Sequence, residues 1–403
     1  MNVEKIRKDF PVLEKKINGK PIVYFDNACM SLRPMQVINA SNEYYFEYPG
    51  CAGRSAHEFG TKVTEKYHEA REEISKFLGA RKTEEIVFTK NTSEGLNLVF
   101  NSLDLKKDDA IVTTDKEHNS VLVPIQMLRT KIGVKHKIIF GKEDGSFDLQ
   151  KFQDSMDKQV KLVAMAHSSN VDGTSIPAKK VIKIAHDFGS FVLLDAAQSI
   201  PHKEIDVKDL DVDFLAFSGH KMLGPSGTGV LFGKYNLLEN LRPFIVGGDT
   251  VQYTTYDLAF FLRPPEKFEA GLQNYAGAIG LAAAAKYLDE IGRKNIEKHE
   301  IELNKKITEG ITDIKGVKIL GPENAELRGG IVSFVIEKMK VHDVALMLNN
   351  MQNIMIRSGM HCVHSWFKAH NIDGSDRVSL YLYNTEEEAE KFVETLKEIA
   401  KLR

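Results

Sequence analysis

An α/β fold with a mainly parallel sheet, followed by a smaller α+β domain, is the architecture this sequence predicts. Three observations carry it. β-rich runs alternate with helical runs from about residue 70 onward. Several of those β-rich runs are apolar throughout, as strands buried on both faces are. After about residue 285 the alternation gives way to long charged helices and a few strands.

Taken in order, "EKYHEAREEISKFLG" has apolar residues at helical spacing and stops at Gly79. "EEIVFTK" is a short strand, and "TSEGLNLVFNSL" a helix opened by Thr92 or Ser93. "DAIVTTD", "KHKIIFG", "VKLVAMAHSS", "SFVLLDAAQS" and "DFLAFSGH" are strands, while "PAKKVIKIAHDFG" is a helix closed by glycine. "AAAAKYLDEIGRKNIEKHEIELNKKITEGI" is long, helical and charged. Strand-like "GVKILG" and "GGIVSFVIE" follow, then helices "KVHDVALMLNN" and "TEEEAEKFVETLKEIAK". The expected division is a large domain over residues 21–284 and a small one over 285–403, joined by an N-terminal segment, 1–20.

A chain of 403 residues has ample length for such a core. Hydrophobic content of 42% and charged content of 27% are those of an ordinary soluble protein. A net charge of −2 gives no electrostatic case for nucleic acid or an anionic membrane surface. No apolar run approaches the ~20 residues of a membrane span, and "MNVEKIRKDFPVLEKK" is an amphipathic start and no signal peptide. Cys29, Cys51 and Cys362 are too few and too scattered for a disulfide framework or a four-ligand metal site. A reducing, cytoplasmic setting and no metal are the expectations.

In an open parallel sheet, ligands sit beyond the carboxyl ends of the strands. Lys221 lies there, in "FLAFSGHKMLGPSGTGVLF", between an apolar strand and a loop holding Gly224, Pro225 and Gly227. Three other strand ends join it. "FTKNTSEG" puts Asn91, Thr92 and Ser93 at a helix N-terminus, where amides and hydroxyls can hold a phosphate. "TTDKEHNSVLVP" places His118, and "LLDAAQS" places Asp195 and Gln198. "FSGHK" adds Ser218 and His220. Singly, Thr92 is an N-cap, His118 a loop residue and Asp195 a strand-end cap. Together they supply an anion cradle, a flat ring that stacks, a buried carboxylate and an amine. Pyridoxal phosphate needs that set: a phosphate site, a carboxylate for the ring nitrogen and a lysine for the Schiff base.

"LLDAAQS" followed by "FSGHKMLGPSGTGVLFGK" resembles the cofactor site of fold-type I pyridoxal phosphate enzymes of the class V aminotransferase group. Within it, the chain is most similar to the SufS-type (group II) cysteine desulfurases and selenocysteine lyases. The likeness runs through "VYFDNACMSLRP", "GRSAHEFG", "FTKNTSEGLNLV", "KEHNSVLVP", "HSSNVDGT", "FEAGLQN", "IRSGMHC" and "RVSLYLYNTEEE". The resemblance implies a seven-stranded sheet and a homodimer. It makes Lys221 the Schiff-base lysine, Asp195 the partner of the ring nitrogen and His118 the stacking ring, with Gln198 near the phenolic oxygen. Thr92, Ser218 and His220 would hold the phosphate, beside Asn91 and Ser93. Asn170 and Arg377 would bind the substrate carboxylate, Arg377 through a bidentate fork. Cys362 would take the sulfur. The expected reaction is L-cysteine to L-alanine with a persulfide on Cys362, passed to a sulfur-acceptor protein for iron–sulfur assembly or thiolation; L-selenocysteine is an alternative substrate.

Two departures from the family pattern stand out. "AGLQN" replaces "AGTPN", so Leu272 stands where a threonine would reach the partner subunit's phosphate. "RSGMHC" replaces "RTGHHC", so Met360 stands for the first histidine while His361 remains as a proton carrier. Cys29 and Cys51 are read as packing residues, with a sulfur relay as the alternative, and Arg54 and His57 as residues flanking the cleft. Another class V reaction, such as amino transfer or epimerisation, needs no thiol at position 362, and a scaffold without activity needs no intact Asp195, Lys221, His118 and Arg377.

Overall fold

In the computed structural model, which describes residues 1–403, seven strands form the central sheet. They are β1 (Ile86–Thr89), β2 (Ala110–Thr114), β3 (Lys135–Ile139), β4 (Val160–Ala166), β5 (Phe191–Asp195), β6 (Phe214–Ser218) and β7 (Gly229–Gly233). Their spatial order is β1-β7-β6-β5-β4-β2-β3. β7 alone runs against its neighbours, because the Lys221 loop folds it straight back onto β6 with Gly229 opposite Ser218. The parallel strands need long crossovers, and helices supply them. β5 shows why its run is apolar without alternation: Val192 and Leu194 enter one hydrophobic cluster and Leu193 the cluster on the other face. Each fully buried side chain of this kind contributes roughly 1.5–3 kcal/mol.

Helix α1 (Met35–Glu47) and helix α2 (Glu58–Leu78) pack on helix α6 (Tyr275–Ile291), where a Cβ on Gly280 would overlap Ser41 and Pro225. α2 begins earlier than its periodicity suggests, with His57 as N-cap accepting from the Gly60 amide at 3.2 Å, and ends at Gly79 in the left-handed region. Helix α3 (Thr92–Ser102) is capped by Asn91, not by Thr92 or Ser93: Asn91 Oδ1 accepts from the Glu94 amide at 3.0 Å. Asparagine is among the strongest N-caps, and its use leaves the Thr92 hydroxyl for other work. Helices α4 (Asn119–Ile132) and α5 (Ala178–Asp187) complete the crossovers that matter for the site.

The long charged stretch is two helices, α6 and α7 (Arg293–Thr312), broken at Gly292, whose φ of +88° favours glycine. The C-terminal sheet is antiparallel, in the order β8 (Val317–Leu320), β9 (Ile331–Ile336), β11 (Ser375–Ser379), β10 (Arg357–Gly359). It packs on α7, helix α8 (Val341–Gln352) and helix α9 (Glu386–Ala400) around a separate core. Val23 and Phe25 enter that core, and Val23–Tyr24 pairs in parallel with Ile354–Met355. No helix is long and apolar enough to cross a membrane.

Candidate functional site

The ends of β4, β5 and β6, the N-termini of α3 and α4, and the tip of the C-terminal sheet surround one cavity of about 240 Å³. Every residue singled out above for cofactor or substrate lines it, from Asn91 to Arg377, and so does Cys362. Arg54, His57, Cys51 and Leu272 do not. Arg54 pairs with Asp249, Cys51 Sγ lies 4.0 Å from the Tyr275 hydroxyl, and Leu272 is 70% exposed on a loop elsewhere.

One end of the cavity is built for an anion. Thr92 donates its amide to Ser218 Oγ at 2.8 Å, and the two hydroxyls lie 2.6 Å apart at the α3 N-terminus. Ser93 Oγ meets Ser120 Oγ at 2.5 Å, and Ser120 Oγ meets His118 Nδ1 at 2.9 Å. His118 is thereby held as the N-cap of α4. Burial, with the charges of Lys221 and Arg377, lowers its pKa to about 4, so its imidazole is neutral at pH 7. His220 is lowered to about 4 by burial and Lys221.

At the centre stand a carboxylate and an amine. Asp195 Oδ1 accepts from the Ala197 amide at 3.0 Å. Burial raises its carboxyl above the usual range, opposed by that amide and by the Lys221 charge. Lys221 opens into the cavity without a hydrogen-bond partner of its own. Burial lowers its amine from the ordinary lysine range, Asp195 opposes the shift, and Arg377 adds to it. Gln198 donates to the Ala28 carbonyl at 2.7 Å, while its buried Oε1 has no partner.

The far wall comes from the C-terminal sheet. Arg377 is 2% exposed, donates to the Asn170 carbonyl at 2.8 Å and lies 3.6 Å from Asp26. Its Nε is buried without a partner. Asn170 Nδ2 donates to the His361 carbonyl at 2.7 Å, and the Asn119 amide to the Cys362 carbonyl at 2.8 Å, so two loops of the cavity clamp the cysteine loop. His361 and Cys362 both have positive φ, 48° and 60°, and Cys362 is exposed. That backbone is uncommon for residues other than glycine and costs of order 1 kcal/mol or more at each.

His361 is not placed as a proton carrier. Its ring is buried, bonded to Ser375 Oγ at 2.9 Å, and burial with two arginines pushes its pKa down to about 2. Met360 packs beside Trp366 and Phe367 in a small apolar cluster, an environment that suits a thioether better than a second imidazole. Among the polar lining residues, Ser120, Ser168 and Arg357 were not identified from sequence as parts of the site, and Cys29 was read there as a packing residue with a sulfur relay as the alternative. Arg357 Nη1 lies 3.0 Å from Cys29 Sγ. Arg357 stands in "IRSGMHC", five positions before Cys362, and that adjacency was the available signal.

The donor set fits pyridoxal phosphate. Gln198 Oε1 is buried without a partner and the Lys221 amine makes no hydrogen bond, while the Thr92–Ser218 cradle and the buried Asp195 present the phosphate site and the carboxylate that this molecule needs.

Comparison with known proteins gives the same direction. The family model described as Aminotransferase class-V matches residues 23–392. A probable cysteine desulfurase of Pyrococcus abyssi is 41% identical over 401 residues, 99% of this chain and 98% of the relative. The cysteine desulfurase of Haloferax volcanii is 37% identical, covering 98% and 96%. Among solved structures, the apo cysteine desulfurase of Thermococcus onnurineus is 42% identical with a TM-score of 0.94, covering 99% and 98%. An Escherichia coli cysteine desulfurase is 29% identical with a TM-score of 0.92, covering 100% and 99%.

Proposed function

From the premise that the chain belongs to the class-V aminotransferase family, with full-length cysteine desulfurases as its relatives, we propose that it converts L-cysteine to L-alanine and leaves the sulfur as a persulfide on Cys362. The observation that carries this reading is that Lys221, Asp195, Arg377 and the exposed Cys362 face one cavity.

Bound pyridoxal phosphate supplies an electron sink that acidifies the substrate Cα–H. Thr92, Ser218 and the α3 N-terminus would hold its phosphate, with Asn91, Ser93 and His220 around them. The neutral His118 would stack on its ring, Gln198 Oε1 would take a polar edge, and Asp195 would keep the ring nitrogen protonated. Arg377 and Asn170 fix the substrate carboxylate, Arg377 through its free Nε edge. Lys221, its amine lowered by burial, takes the Cα proton and returns it. Cys362 attacks the substrate sulfur as a thiolate, because the thiol is a poor nucleophile; the substrate Cβ–S bond breaks as the S–S bond forms, and Cβ takes up the equivalent of the proton that the Cys362 thiol gave up. Substrate and enzyme thiol are thus exchanged for alanine and an enzyme persulfide, with atoms in balance.

The exposed loop of Cys362 suits delivery to a sulfur-acceptor protein in the cytoplasm, for iron–sulfur assembly or thiolation. A homodimer is part of the same reading. The hairpin Val251–Thr254 and Ala259–Phe261 exposes Tyr253, Tyr256, Leu258 and Phe260, beside the loop bearing Leu272, and such a patch calls for a partner. Leu272 would then add apolar contact across the interface where a threonine would reach for phosphate.

The test is product analysis with purified holoenzyme. L-cysteine should yield alanine and a persulfide on Cys362 without any keto acid, and L-selenocysteine alanine and selenide. Amino transfer that depends on a keto acid, with Cys362 unmodified, would replace this reading with that of an aminotransferase.

A further inference from the structure

The cavity holds two thiols. Cys362 comes from the loop after β10, and Cys29 from the turn of "DNACMS". That turn is bolted to β11: the Ala28 amide donates to Ser379 Oγ at 2.9 Å, and Asn27 Nδ2 to the Ser379 carbonyl at 2.7 Å. Cys29 is therefore fixed, half-buried, with its sulfur 3.0 Å from Arg357 Nη1. Lys221 and Arg377 line the same cavity as that sulfur. A residue that serves packing alone has no need of this setting.

We propose that Cys29 is a second sulfane-sulfur site, loaded from the persulfide on Cys362 and held there by Arg357. The inference rests on the desulfurase reading. In the transfer, the Cys29 thiolate attacks the outer sulfur of the Cys362 persulfide. A new S–S bond forms at Cys29, the old one breaks, and Cys362 leaves as a thiolate. No oxidant or reductant is consumed. A hydropersulfide ionises more readily than its parent thiol, so the outer sulfur gains from the Arg357 guanidinium beside Cys29. Cys362, freed, can accept a second sulfur before any acceptor protein arrives.

The experiment loads the holoenzyme with L-cysteine in the absence of reducing thiol, alkylates it and maps persulfides by peptide mass. The expected result is a persulfide on both the Cys29 and the Cys362 peptides of the wild type, with total sulfane sulfur twofold that of Cys29→Ser. In Cys362→Ala neither peptide should carry added sulfur. A labelled Cys362 with an unlabelled Cys29 overturns the second site and leaves the desulfurase reading intact. An unlabelled Cys362 in the wild type sinks the desulfurase reading itself. Sulfur on Cys29 in Cys362→Ala overturns the relay, since Cys29 would then take sulfur directly from substrate.

Discussion

Arg377 spends its Nη1 on the backbone carbonyl of Asn170, 2.8 Å away, and keeps its Nε buried and unpaired. The carbonyl fixes the guanidinium plane, and the unpaired edge is left for a carboxylate. Lysine cannot reproduce a planar, two-point contact of this kind. Arg377→Lys should therefore raise KM for L-cysteine by about 10- to 100-fold, about 1.4–2.8 kcal/mol. Cofactor content should stay at the wild-type level. Steady-state kinetics check it, and an unchanged KM would remove Arg377 from substrate binding.

Lys221 is separable from the groups proposed to hold the phosphate. Thr92, Ser218 and the α3 N-terminus make their own contacts without it. Lys221→Ala should bind pyridoxal phosphate reversibly and lose turnover. Borohydride should fix the cofactor to the Lys221 peptide of the wild type and to no peptide of the variant. A pyridoxyl group mapped to another lysine would move the assignment.

How much of this was legible in the sequence follows from the range of the interactions. Strand ends were readable because β5 and β6 are apolar up to Asp195 and Ser218, where a polar residue marks the exit into the cavity. Motif residues such as Asn91, His118 and Arg377 came with their local patterns. The contact of Cys29 with Arg357 joins residues 328 positions apart, and no periodicity or turn signal reports such a pairing. The cap of α3 was misread because Thr92 and Ser93 are also good caps, and only the side-chain geometry selects Asn91. His361 looked like a proton carrier from its place beside Cys362; its burial against Ser375 is a tertiary fact.

Asp376 should make stability fall as pH rises. On β11 it stands opposite Phe334 and on the face of Val378 and Leu380, inside the C-terminal core. Both its oxygens are buried without partners, and burial pushes its carboxyl up to about 9 from the ordinary 3.8. Below the ordinary value the folded and unfolded states both hold the proton. Between that value and about 9 only the folded state does, so each increment of pH favours unfolding. Asp376→Asn should stabilise the protein by about 2 kcal/mol or more at pH 8 and flatten the dependence between pH 5 and 9. Chemical denaturation at several pH values checks it. An equal loss of stability at every pH would show that Asp376 has polar partners.

Cys362→Ala divides the chemistry at the sulfur. In the proposed reading, cofactor binding draws on Asp195, Lys221 and the Thr92–Ser218 cradle, and substrate docking on Arg377; neither uses the thiol. The variant should therefore keep its bound cofactor and its spectral response to added L-cysteine. Alanine release should fall at least several hundredfold, on the order of 4 kcal/mol in the barrier, as for the loss of a covalent nucleophile. Selenocysteine should be spared more, because selenium leaves more readily without a thiolate to accept it. The Asn119 and Asn170 clamps bind backbone carbonyls and survive the substitution, so a loss of rate cannot be laid to a collapsed loop. Rapid-quench measurement of alanine, with thermal melting as the control for folding, decides the matter. Near-normal release of alanine from L-cysteine would transfer the nucleophile's role to Cys29, the other thiol in the cavity, and the mechanism proposed for Cys362 would fall.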